Sequence, residues 1–246
     1  MKTNGIILYE GPSLLDRSRI VCIATLATDN RKTGPMVQTW ILPRDLDPLE
    51  AVRRDRNQGA CGSCPLQGVY NPRTKKIEKR TCYVTLMHAP LSIWKCYKRG
   101  AYAPQDTAHA RSLLQDRELR LGAYGDPGAI PTRYLRQWVN WSSGHTGYTH
   151  QIWTQTRTRA NALASMLMIS TETETQRVQA QTNGWRTFHV RPDGAPVPDG
   201  DCDCPYYSHG VSCSDCLLCG GSRQKARSIS VPGHGIGKKY LQLRTP

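Results

Sequence analysis

Cysteine is the residue type in this sequence best placed to do chemistry: there are ten, and eight of them fall into two groups. Cys61, Cys64 and Cys82 make the first group, Cys202, Cys204, Cys213, Cys216 and Cys219 the second, and Cys22 and Cys96 stand apart. In a reducing compartment, thiols grouped this way are metal ligands sooner than disulfides. Cys213, Cys216 and Cys219 follow a CxxCxxC spacing, which carries three thiolates around a tight turn toward one centre, and Cys204 or Cys202 can close the tetrahedron. That spacing is commoner for iron–sulfur clusters, whereas structural zinc more often uses two separated CxxC knuckles. The first group opens as CxxC at Cys61 and Cys64, with Gly62 relieving the turn, and adds Cys82 after a gap of seventeen residues. A fourth ligand, His88 or Cys96, would make this a closed structural site; an open fourth position on iron would admit a substrate or cofactor. The expected ligands are therefore Cys61, Cys64 and Cys82 at one centre and Cys204, Cys213, Cys216 and Cys219 at the other, holding an iron–sulfur cluster or Zn. Cys22, within the apolar run from Ile20 to Ala24, reads as a buried core thiol.

A second set of polar residues lies where strands are expected to end. Asp126 in Gly125-Asp126-Pro127, His150 in Thr149-His150-Gln151 and His234 between two glycines are the expected catalytic groups. Thr33, Gln38 and Glu172 are the expected cofactor contacts. Each has a plainer reading: Gly125-Asp126-Pro127 as a turn with an Asp bonded to its own backbone, and His150 as a buried, satisfied imidazole. The run from Asn30 to Gly34 lacks the glycine pattern of a Walker loop. No Ser-His-Asp set, HExxH helix or zinc-deaminase pattern is present, which lowers the weight of the familiar hydrolase chemistries.

The charge balance suggests a partner. Lys and Arg number 33 against 19 Asp and Glu, a net charge of +14, enough to attract polyanions across a Debye length. Between Cys61 and Ala103 eight basic residues face a single acid, Glu78. Lys75, Lys76, Lys79 and Arg80 in this stretch are the expected phosphate contacts, so nucleic acid is the expected partner, with a merely solubilising surface as the bland alternative. Mean hydropathy is -0.54 and no apolar run approaches membrane-spanning length. The segment Met1 to Leu15 offers only Ile6, Ile7 and Leu8 as an apolar patch and carries Glu10, so no secretory leader is expected and the chain reads as cytoplasmic, without a membrane partner.

The elements that must position these residues are legible as apolar runs. Strands are expected at 19–25, 36–42, 82–86, 119–124, 147–152, 165–169, 185–190 and 229–231, and helices at 48–56, 92–99, 106–116, 132–141, 160–164 and 172–183. For the last helix, Thr171-x-x-Glu174 reads as a capping box and Asn183-Gly184 as the stop. Alternation of strand and helix from Leu119 to Val190 points to an α/β fold with mainly parallel strands, as a partial or complete (β/α) barrel, with an open doubly wound sheet as the alternative. The 246 residues are expected to form one domain, with cysteine-rich insertions at about 57–103 and 198–222. Parallel α/β folds gather chemistry at the carboxyl edge of the sheet, where the polar residues above would converge.

Several runs carry a resemblance. Asn30-x-Lys32-Thr33-Gly34 with Gln38 and Trp40, Cys61-Gly62-x-Cys64-Pro65, Cys82-Tyr83-Val84, Gly147-Tyr148-Thr149-His150-Gln151, Gly184-Trp185-Arg186-Thr187-Phe188 and the final CxxCxxC-Gly together resemble a family of small cysteine-rich proteins of phages and prophages. The resemblance spans nearly the whole chain and implies a phage or prophage origin, hence the host cytoplasm, but no activity. More loosely, the layout is similar to radical S-adenosylmethionine enzymes. This likeness implies an open cluster on Cys61, Cys64 and Cys82, a second on Cys204, Cys213, Cys216 and Cys219, and S-adenosylmethionine as cofactor. Those enzymes usually carry the three cysteines as CxxxCxxC in one loop, a pattern this chain does not follow. Two functions compete: a metal-dependent, iron–sulfur enzyme acting on nucleic acid or nucleotide, and a non-catalytic nucleic-acid-binding protein stapled by zinc.

Overall fold

The computed structural model describes residues 4–235. Nine strands form one sheet: β1 (Gly5–Pro12), β2 (Arg19–Thr25), β3 (Val37–Pro43), β6 (Glu118–Tyr124), β7 (Gly144–Thr149), β8 (Met168–Thr171), β9 (Thr187–Arg191), β11 (Ile229–Pro232) and β10 (Cys202–Asp203), in that spatial order. β4 (Val69–Asn71) and β5 (Lys76–Glu78) make a separate antiparallel hairpin. β1, β2 and β3 pair antiparallel, and every pairing from β3 through β10 is parallel. The fold is thus mixed α/β with a large, mostly parallel sheet. Its edges are β1 and β10, and among the described residues no pairing closes one onto the other.

β2 and β3 are buried along almost their whole length, as expected for strands covered on both faces. Helices Thr107–Leu114, Thr132–Trp141 and Arg157–Ala164 supply Leu114, Leu135, Trp138 and Leu163 to the core on one face. The other face of β2 and β3 is covered by the long connection from β3 to β6, through Val52, Leu86 and Ile93 against Val21, Ile23, Trp40 and Leu42. That connection therefore does more than carry cysteines: it completes a core. Cys22 is fully buried in the first of these clusters, as its apolar run implies.

Most expected elements form within a few residues of their expected bounds, but there are differences. Residues 82–86 are not a strand; Thr81 N and Cys82 N both donate to Leu66 O, at 3.1 and 2.8 Å, so the segment folds back on the Pro65–Gln67 turn. The antiparallel β1 was not anticipated, because Glu10 and Gly11 interrupt its apolar pattern. Helix Glu174–Thr182 is capped by Thr173 rather than Thr171: Thr173 Oγ1 accepts from Gln176 N at 3.3 Å, while Thr171 is the last residue of β8. The polar run Thr171 to Thr173 offers the same cap chemistry twice, and the strand claims the first.

Candidate functional site

The turn after β6 is the keystone of the site. Gly125 adopts a φ of +80°, and a Cβ there would lie 2.5 Å from Ile41 O, so this close crossing over β3 requires glycine. It delivers Asp126 into the interior, where Asp126 N donates to Ala60 O at 2.7 Å and ties the turn to the Cys61 segment. The Asp126 carboxylate is fully engaged. Oδ1 accepts from Gly128 N at 2.8 Å and Thr149 Oγ1 at 2.7 Å, and Oδ2 from His150 N at 2.8 Å and Gln151 Nε2 at 3.3 Å. With four donors on its carboxylate, Asp126 holds the turn after β6 against the end of β7 while lining the cavity. The expected Asx turn is present as part of this network.

Gln151, 2% exposed, continues the network. Its Oε1 accepts from Ser63 N at 3.2 Å and its Nε2 donates to Cys61 O at 3.2 Å, so it clamps the turn between Cys61 and Cys64. Gly62 sits under this clamp with a φ of +54°; a Cβ there would come within 2.2 Å of Gln151 Oε1. Cys82 reaches the same place through the backbone bond to Leu66 already described. Cys61, Cys64 and Cys82 thereby line one cavity of about 140 Å3 at the carboxyl ends of the parallel strands, together with Asp126, His150 and His234.

The electrostatics follow from crowding. Burial pushes the Cys61 thiol up, and its neighbours Cys64 and Cys82 push it further. Cys82 is also raised by burial, against an opposing pull from Arg80. At His150 burial works against the cation, but Cys64 and Glu172 outweigh it and hold the imidazole well above its ordinary pKa. Its Nε2 lies 2.7 Å from Glu172 Oε1 and 3.9 Å from Cys64 Sγ. His234 is lowered by burial, with Lys32 adding to the effect against a raising bond to Pro232 O.

Cys61, Cys64 and Cys82 are soft donors that share this cavity's wall, but as placed they do not make a ligand set: among the described residues no three His, Cys, Asp or Glu side chains form a group that could hold a metal ion. The fourth ligands considered from the sequence do not line the cavity. His88 is exposed at the start of helix Ala89–Lys98, and Cys96 accepts from Arg99 at 3.2 Å.

Cys204, Cys213, Cys216 and Cys219 line a second, smaller cavity of about 20 Å3. Cys202 is not among its walls and directs its thiol to Asp203 O. Cys213 N donates to Lys32 O at 2.8 Å and Gly147 N to Cys219 O at 3.1 Å, so this group is laced to the loop before β3 and to β7. Burial raises Cys219 to about 12, with a hydrogen bond from Tyr148 opposing.

The expected cofactor contacts are placed otherwise. Gln38 Nε2 donates to Thr33 Oγ1 at 2.9 Å and Thr33 Oγ1 donates to Asn30 O at 3.0 Å, which consumes both in holding the turn at 30–34, outside the cavity wall. Glu172 meets the cavity only through His150. Lys75, Lys76 and Lys79 are exposed on and beside the β4–β5 hairpin, but Arg80 is half-buried and donates from Nη2 to Val84 O at 2.6 Å. Arg80 thus braces the Cys82 loop and is not a free phosphate contact. Sequence reasoning missed Lys32, Tyr83 and Arg120, all on the cavity wall. A signal for Arg120 was present: Leu119 and Leu121 face the helical core, which leaves Arg120 as a charged residue inside the strand, turned to the opposite face.

No protein-family model, curated protein or solved structure matches this chain. Among the described residues no helix is long and apolar enough to cross a membrane.

Proposed function

We propose that this protein is a metal-dependent enzyme acting on nucleic acid or nucleotide, with its reaction centre in the cavity at the carboxyl ends of β6 to β11. One observation carries the reading: Cys61, Cys64 and Cys82, contributed by a long insertion, line the same cavity as His150 and His234 from the strand ends. Structural stapling alone would give no reason for this convergence. The cavity's lining by residues of β6, β7, β8, β9 and β11 also favours a sheet curved as a partial barrel.

Cys61, Cys64 and Cys82 would hold the metal. The cavity of about 140 Å3 leaves room beside the three cysteines for a substrate or cofactor, as an iron–sulfur cluster with an open position would require. Such a cluster, when bound, would supply redox or radical chemistry. The chain's own contribution is orientation. Asp126 and Gln151 hold the Cys61–Cys64 turn and the His150 backbone, and Glu172 takes up Nε2 and so orients the imidazole of His150 at the cavity wall. Lys32 and Arg120 bring positive charge to the wall for an anionic substrate.

The test is a covalent one. Metal-loaded protein is incubated anaerobically with a chemical reductant, S-adenosylmethionine and DNA or RNA oligonucleotides, which are then digested to nucleosides and analysed by mass spectrometry. A mass change that disappears with His150→Ala is expected; binding without any such change would instead favour the zinc-stapled binding protein.

The basic hairpin supplies a separate expectation. Replacing Lys75, Lys76 and Lys79 together with Ala should reduce the slope of log affinity against log salt by about 2 for single strands, at ~0.7 per phosphate contact. Arg80→Ala should leave that slope unchanged, because its guanidinium is already committed to Val84. Fluorescence anisotropy across a salt series reads both.

A further inference from the structure

At the mouth of the cavity three rings from three separate segments meet. Tyr83 comes from the first cysteine-rich insertion, Tyr207 from helix Pro205–His209 in the second, and His234 from the segment after β11. The Tyr83 and His234 centroids are 5.0 Å apart with planes at 34°, and those of Tyr207 and His234 are 5.4 Å apart at 49°. Tyr83 and Tyr207 nevertheless leave 47% and 37% of their surface open. Rings left open side by side, rather than singly, make the kind of surface patch that marks an interaction site.

Both tyrosines are held in place by cations. Arg120, 6% exposed, donates from Nη2 to Tyr83 Oη at 2.8 Å. Lys32 Nζ lies 3.0 Å from Tyr207 Oη and 4.3 Å from its ring centroid. Neither Arg120 nor Lys32 has a carboxylate within ion-pairing distance among the described residues. The mouth therefore combines pre-oriented ring faces with two cations that pair with no carboxylate, beside the thiols of the second cysteine group, and the exposed Lys75, Lys76 and Lys79 add positive charge along the insertion that carries Tyr83.

We infer that Tyr83, His234 and Tyr207 form a stacking platform for an unpaired nucleobase at the entrance to the cavity. Ring faces accept any base, while the neighbouring cations attract its phosphate, the combination that single-strand binding requires. Base-paired duplex cannot present such a face without unstacking. This inference rests on the nucleic-acid reading above and narrows its substrate to an unpaired base.

The test compares two labelled strands of about twelve nucleotides, a length within the usual range of single-strand sites. One is oligothymidine; the other carries the same backbone with abasic sites. The parent protein is expected to bind the base-bearing strand at least about tenfold more tightly, and Tyr83→Ala or Tyr207→Ala to remove about tenfold from that strand while leaving the abasic one unchanged. Tyr83→Phe and Tyr207→Phe, which keep the ring, should stay within a few-fold of the parent. Thymidine monophosphate as competitor separates the two sources of a base: displacement at low concentration assigns the platform to free nucleotides, and failure to displace assigns it to a strand. Equal affinity of the parent for both strands would overturn the platform and leave nucleic-acid binding intact, without relying on any variant. Binding of neither strand would overturn both.

Discussion

Asp126→Asn is expected to destabilise the fold by about 3 kcal/mol, because a buried, fully hydrogen-bonded carboxylate is replaced by a group that cannot accept on both sides. The four donors around Asp126 are Gly128 N, Thr149 Oγ1, His150 N and Gln151 Nε2. An amide presents one oxygen and one NH2, so whichever way it is turned at least one backbone donor, Gly128 N or His150 N, faces another donor. The loss falls on the turn after β6 and on the end of β7, the two pieces that bring Cys61 and His150 to the cavity. A chemical denaturation curve with an unchanged slope and a lowered midpoint is the expected reading. A midpoint equal to the parent's would show that this network does not hold the site.

Cys82→Ser is expected to act in the opposite manner, with a large effect on metal and a small one on folding. The backbone bonds of Thr81 and Cys82 to Leu66 place the loop whatever the side chain, so the melting temperature should fall by only a few degrees. The hydroxyl is a far poorer ligand for soft metals than a thiolate. The variant should therefore lose the metal of the larger cavity, and with it any metal-dependent change in an oligonucleotide. Metal analysis and a thermal melt on the same preparation separate the two effects. If the variant unfolds while still binding its full complement of metal, Cys82 belongs to the core and not to the site.

The parallel half of the fold was legible because its strands are short apolar runs separated by amphipathic helices, and helix Thr132–Trp141 forms with the bounds its pattern implied. β1 was hidden by Glu10 and Gly11, and β4, β5 and β10 are too short to carry a periodic signal. The meeting of Asp126, His150 and His234 at one cavity was anticipated from the carboxyl-edge rule for parallel sheets, and Cys61, Cys64 and Cys82 share its wall. The detailed roles were not. That Asp126 spends every lone pair on its surroundings, that Thr33 and Gln38 bond each other, and that Arg80 turns inward to Val84 are matters of side-chain direction. Spacing in sequence carries no such information once the residues lie in loops. Gln151 shows the reverse: its neighbour His150 drew attention, yet the amide is what joins the cysteine turn to the sheet.

Anaerobic purification followed by iron, sulfide and zinc analysis is the most direct test of the proposed thiolate-bound metal centre in the cavity walled by Cys61, Cys64 and Cys82. The parent protein is compared with Cys61→Ser/Cys64→Ser/Cys82→Ser. Iron with inorganic sulfide in the parent, lost from the triple variant while any metal at Cys204, Cys213, Cys216 and Cys219 remains, is the expected result. A parent protein free of metal after iron and sulfide are supplied, or a triple variant with the parent's full content, would contradict it.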